Sequence, residues 1–350
     1  MSSFHIRWRR ESRGRVSILL FTAILCGFQN NPVSAREEGS SFTDAVVAYQ
    51  DRRLDDALRH AKKAVVENPN HVDAHFLLGE LYYLKQDLTK AKESWQKALK
   101  LAPSRQDIRQ RVAQLEVESK IEQDLARSDT HPFVVRFAEE GLPVDIGSLR
   151  QTLRDVYREV GQQFGYFPEH PITVILYPEG AFEQIRKAAH QLGGMYDGKI
   201  RLPVPQERNS RPVFAELKRV LWHEYTHAVV QDLSKGGCPI WLNEGLATLQ
   251  ESRVWEISLE RFHQAVESDR LYAWDQFWNQ PYKPQELHLQ YQQAYLMAAY
   301  LVKRWGWSRM VSLLKLLGQG YSIQDAIRRE YKTDPALVEK AWIAWVKRNY

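Results

Sequence analysis

Apolar residues along this chain fall into three regimes. Between 41 and 127 they recur at helical spacing, and the pattern itself repeats. Ala57, Ala61, Ala64 and Pro69 return 34 residues later as Ala91, Trp95, Ala98 and Pro103. Leu54 likewise returns as Leu88, Phe42 as Phe76 and Ala45 as Gly79. A period of this length predicts stacked helical hairpins. A long polar helix over about 105–127, with Ile108, Val112 and Leu115 on one face, follows as a cap on the open end of the stack. Ser128-Asp129-Thr130-His131-Pro132 predicts a break. The second regime has strand character. Phe133–Phe137 and Ile172–Tyr177 are β-prone runs, and Lys199–Val204 reads as an edge strand because Pro203 cannot donate to a central ladder. Helices are expected between them at 147–164 (Leu149, Leu153, Val156, Val160) and about 180–191, with a turn at Gly193–Gly198. After 210 the spacing is helical throughout. Gly306 closes one helix and Ser308 opens another, Ser322 and Asp325 form a capping box, and Asp334-Pro335 starts the last helix.

The 34-residue period, with Leu78-Gly79 and Tyr82 at first-helix positions, resembles the tetratricopeptide repeat. That resemblance implies two units over about 41–105, in which small residues allow close helix packing and the proline ends the second helix. It also implies a concave face for protein partners.

Composition changes little in this picture but removes alternatives. The 350 residues are 44% hydrophobic and 26% charged, a globular balance with two cysteines, too few for a disulfide framework. The net charge of +5 is mostly terminal: Arg7, Arg9, Arg10, Arg13 and Arg15 against Glu11 give +4 within the first 35 residues. The remainder is close to neutral, which leaves a nucleic-acid partner without support. Those 35 residues read as a secretory signal. The apolar run Val16–Phe28 is 13 residues long, short of the ~20 that span a bilayer. Val33-Ser34-Ala35 offers a cleavage point. A periplasmic or secreted location follows, with membrane attachment only if the leader is uncleaved. The expected organisation is 1–35 leader, 41–127 repeats plus capping helix, and 131–350 a second domain.

The chemistry concentrates in His223-Glu224-Tyr225-Thr226-His227, inside an amphipathic helix over about 213–232. Positions i and i+4 share a helix face, so the two imidazoles can bind one metal ion. Glu224 lies beside them, placed to take a proton from a water that the metal activates. Neutral histidine suits Zn²⁺. The other eight histidines in 41–350 lack a ligand partner at useful spacing, and no phosphate loop, serine elbow or Cys/His nucleophile pattern occurs. Cys238 reads as structural.

Sixteen residues separate His227 from Glu244, which stands in Trp241-Leu242-Asn243-Glu244-Gly245-Leu246-Ala247. HExxH followed by this segment resembles the gluzincin zinc peptidases. The overall layout most resembles bacterial peptidase-MA-like domains with tetratricopeptide repeats. The resemblance implies an α+β fold: N-terminal helical hairpins, then a zincin-like domain with a small mixed sheet and a mostly helical C-terminal part. It implies Glu244 as third zinc ligand beside His223 and His227, and Glu224 as general base. Physically, Lys235-Gly236-Gly237-Cys238-Pro239 reverses the chain, so Glu244 can return to the imidazoles, and two His plus one carboxylate leave a fourth position open. Glu251 and Thr248 are candidates to hold the imidazoles from behind.

An oxyanion donor is also expected. The family carries a Tyr at the start of a later helix, where Tyr291 stands, with Tyr295 one turn on as the alternative. The family's use of an edge strand to pair with an extended peptide would fall to 199–204 here. Aminopeptidases of the clan carry G-x-M-E-N, whose Glu holds the free amine. Gly193-Gly194-Met195-Tyr196-Asp197 lacks that Glu, so cleavage within a chain is the expectation. The competing expectation is a non-catalytic repeat protein for binding or assembly, with a vestigial or structural zinc site.

Overall fold

The computed structural model describes residues 41–50, 53–138, 145–178, 180–182, 184, 198–204, 211–274 and 286–350. The expected leader, most of the 180–191 helix and the turn before Gly198 lie outside them.

The repeats fold as read. α1 (Ser41–Gln50) pairs with α2 (Leu54–Glu67), and α3 (Val72–Leu84) with α4 (Leu88–Leu101). Ala45, Ala57 and Ala61 are fully buried where the first pair meets. The second pair exchanges volumes. Trp95 takes the place of Ala61, Gly79 takes the place of Ala45, and a Cβ on Gly79 would lie 2.2 Å from the Trp95 ring. Trp95 cannot swing aside, because it is fully buried and its indole N–H donates to the Phe76 carbonyl at 3.2 Å. Gly79→Ala is therefore expected to destabilise the repeats by about 1–3 kcal/mol, the usual cost of overpacking. A urea melt followed by Trp fluorescence measures this, and an unchanged midpoint would refute the exchange.

The capping helix α5 is shorter than expected, Gln106–Glu122. Of the expected break, only His131-Pro132 is a turn. Ala126–Thr130 forms β1, antiparallel to β2 (Phe133–Phe137) with Ser128 opposite Val135. Its polar sequence hid it: β1 is an edge strand held by ladder hydrogen bonds rather than by an apolar face. Ser128 is buried under Arg150, whose guanidinium donates to the hydroxyl at 2.6 Å. The boundary expected between 127 and 131 thus falls inside a hairpin.

The four-stranded mixed sheet has the order β1-β2-β3-β4, with β2, β3 (Ile172–Pro178) and β4 (Lys199–Val204) parallel. Among the described residues β4 pairs only with β3, as an edge strand does. β3 is apolar at nearly every position because both its faces are covered. Val174 and Leu176 face the main core, with α6 (Ile146–Phe164) and α7 (Arg211–Ser234). Ile175 and Tyr177 face Val117, Ile121 and Leu125 at the end of the repeats.

Behind α7 the chain is helical: α8 (Ile240–Glu251), α9 (Glu260–Glu267), α10 (Leu287–Gly318), α11 (Ile323–Tyr331) and α12 (Pro335–Asn349). The expected punctuation holds. Gly306 breaks α10 with φ of 82°, Ser322 caps α11 and bonds Asp325, and Asp334 caps α12 ahead of Pro335. Trp342 is fully buried in the core. No described helix is long and apolar enough to cross a membrane.

Candidate metal centre

α7 buries Leu221, Trp222, Tyr225, Ala228 and Val229 against the core, which fixes its rotation. His223 and His227 stand on an adjoining row, their ring centroids 4.8 Å apart and their planes nearly perpendicular at 83°. The reversal after α7 uses left-handed backbone at Lys235 (φ 49°) and Gly236 (φ 83°). Gly237 then passes so close to the Leu317 carbonyl that a Cβ would sit 2.4 Å from its oxygen. Pro239 accepts from the Leu242 and Asn243 amides and starts α8, which brings Glu244 back over α7.

The three side chains converge. One Glu244 carboxylate oxygen lies 3.5 Å from His223 Nε2, the other 3.6 Å from His227 Nε2, and ligand atoms of all three fall within 4.8 Å of one another. These separations exceed a normal N–H···O bond. They are close to the ~3.4 Å between two atoms that share one tetrahedral zinc ion. Glu244 and His227 are buried, and both Glu244 oxygens and His227 Nε2 have no hydrogen-bond partner. A buried carboxylate without a hydrogen bond is costly. A cation between the three would satisfy all the orphaned atoms at once, so the residues fit a metal ion.

The far side of each imidazole is fixed. His223 Nδ1 lies 2.8 Å from a Glu251 oxygen, and His227 Nδ1 lies 3.0 Å from the Asn243 side-chain oxygen. Both bonds leave Nε2 facing Glu244. Arg219, one turn before His223, donates to Glu251 at 2.7 Å and is itself held by Glu216. Burial depresses the His223 pKa, but the Glu244 and Glu251 carboxylates outweigh it and push it up to about 10. The field at this point thus favours positive charge. Cys238, nearby in the reversal, has its thiol pushed up by burial and by Glu244.

Glu251 occupies the role expected of it behind His223, whereas His227 turns to Asn243 rather than Thr248. The sequence reading missed Asn243 and Arg219. Arg219 is four residues before His223 and shares its face, so helical spacing alone could have found it. Glu224 is half-buried on α7 beside His223. Tyr291 is buried on α10, and Tyr295, one turn on, is half-buried. Their neighbours Gln292 and Gln293 are structural clamps. Gln292 binds the Phe262 amide and the Ser258 carbonyl, and Gln293 binds both the amide and carbonyl of Tyr272. His170, read as having no ligand partner, pairs with Asp232 at 2.8 Å and is not part of the cluster.

No curated protein and no solved structure gives a significant match to the chain. Two family models do match it: residues 213–348, from α7 to α12, match the Peptidase MA superfamily, and residues 72–105, spanning α3 and α4, match the tetratricopeptide repeat.

Proposed function

We propose that this protein is a zinc-dependent peptidase that cleaves within peptide chains, secreted or periplasmic after loss of its leader, and that its repeats serve protein contacts. One observation carries the reading. His223, His227 and Glu244 converge in a buried place, where the Glu244 oxygens and His227 Nε2 lack a hydrogen-bond partner. Zinc held by these residues would polarise the peptide carbonyl and bring the pKa of water to about 7.

The chain's own residues do the rest. Glu224 accepts the proton of the attacking water and passes it to the leaving amine. Tyr291 donates its hydroxyl to the oxyanion of the tetrahedral stage. β4 offers main-chain hydrogen bonds to an extended substrate, which brings the scissile bond to α7. Glu251 and Asn243 hold the imidazoles in one tautomer.

The test is direct. The purified chain should carry one zinc per molecule by elemental analysis and cleave unfolded casein. A chelator should abolish cleavage and added zinc restore it. Failure to bind zinc would sink the reading. Asn243→Ala and Glu251→Ala are each expected to weaken zinc affinity about 10–100-fold. Competition against a chromophoric chelator checks this, and unchanged affinity would show that the two bonds are idle.

A further inference from the structure

We propose that the repeat module is the mount of β4, with Glu118 as the positioning residue that holds this strand in register for substrate. The consequence for catalysis rests on the peptidase reading above, while the mount itself does not.

β4 alternates. Ile200 and Leu202 enter the main core, and Lys199 and Arg201 point the opposite way, into the repeats. Glu118 of α5 receives both. Lys199 Nζ donates to it at 3.2 Å and Arg201 Nη2 at 3.0 Å. Tyr83 of α3 donates its hydroxyl to the same carboxylate at 2.7 Å and accepts from Arg201 at 2.6 Å. Gln114, one turn back on α5, donates at 2.7 Å. The Lys199 ammonium lies 3.9 Å from the Tyr83 ring centroid, a cation–π contact. Lys199 and Glu118 side chains are fully buried. A charge pair shut away from water holds its geometry tightly, because either charge left alone is strongly disfavoured.

A separate contact fixes where the strand begins. Gly198, with φ of 91°, enters β4 so close to Leu84 that a Cβ would lie 2.2 Å from its methyl group. β4 is therefore held at its start by the end of α3 and along its length by α5. Its opposite edge has no strand partner among the described residues. The polar row Glu80, Tyr83, Arg111, Gln114 and Glu118 is buried, and its Tyr83–Glu118 end is engaged by β4 of the same chain. That part of the repeat surface acts inside the molecule.

Two measurements on full-length Glu118→Gln test this. Gln keeps the shape and removes the charge that Lys199 and Arg201 share, leaving Lys199 the longer pair with Glu122 at 3.8 Å. Amide exchange at 199–204 should speed up while the α7 and α8 amides stay protected. For a long internally quenched peptide KM should rise roughly tenfold with kcat little changed, because only pairing along the strand is lost. A short version of that peptide and the zinc content should be unaffected. Tyr83→Phe, which removes one hydroxyl, should move both readouts the same way by less, and it serves if Glu118→Gln does not fold. Unchanged exchange at 199–204 would overturn the mount. An equal fall in kcat on both peptides would show general loosening instead and overturn the positioning role. If the wild type cleaves neither peptide, the peptidase reading fails and exchange alone decides the mount.

Discussion

Glu224→Gln is expected to cut peptide hydrolysis by about two to four orders of magnitude while the chain keeps its metal. The two halves of that outcome have different causes. Metal retention depends on His223, His227 and Glu244, whose ligand atoms converge without Glu224. Glu224 follows His223 directly, so it is turned by about 100° around the helix axis and is free for another task. Its half-buried position needs no charge for packing, and Gln fills the same volume. What Gln lacks is a basic oxygen to take a proton from water. His227→Ala should behave differently. It removes a ligand and leaves the buried Glu244 carboxylate with one imidazole, so metal and activity should fall together. Zinc content and kcat measured on both variants separate the roles. Full activity in Glu224→Gln would place the base elsewhere, and loss of zinc would place Glu224 among the ligands.

The contrast between what could and could not be read from the sequence follows the range of the interactions. The repeats were legible because their contacts are local. Ala57 and Ala61 lie on one helix, and their partners are Ala45 and Ala48 of the same hairpin with Leu77, Leu78 and Leu81 of the next. The His223–His227 pair on α7 was legible for the same reason, since i and i+4 fix one face. Glu244 was within reach because the Gly-Gly turn lies just before it. α5 caps the second repeat through Ile108, Val112 and Leu115 as expected, but its buried carboxylates were not legible. Glu118 and Glu122 look like solvated charges on a polar helix, yet both are fully buried. Their partners are Lys199, 81 residues beyond Glu118, and Tyr177, 55 beyond Glu122. No local periodicity encodes a partner at that distance. β1 escaped for a related reason, since its stability comes from backbone pairing with β2 and leaves no apolar alternation to detect. The end of α5 meets the sheet, with Val117 and Ile121 packed against Ile175 and Tyr177.

Gly245→Ala should destabilise the domain by about 1–3 kcal/mol and loosen the metal with it. The residue sits next to Glu244 on α8, where the helix crosses α10. A Cβ there would lie 2.3 Å from the Ala294 carbonyl oxygen and 2.8 Å from its carbon. Both atoms are backbone, so no side-chain rotation relieves the clash and the helices must move apart. Alanine favours the helix by up to about 1 kcal/mol over glycine, which offsets only part of this. Separation cannot stay local, because Asn243 holds His227 and Glu244 faces both imidazoles from the same turn. The variant should thus lower the thermal midpoint and weaken zinc affinity in parallel, whereas Gly79→Ala in the repeats should lower stability alone. Adding Ala298→Gly should not rescue it. That change clears the 3.0 Å contact with the Ala298 methyl group but leaves the carbonyl where it is. Rescue by Ala298→Gly would mean that a side chain, not the backbone of α10, sets how closely Glu244 is pressed toward the imidazoles.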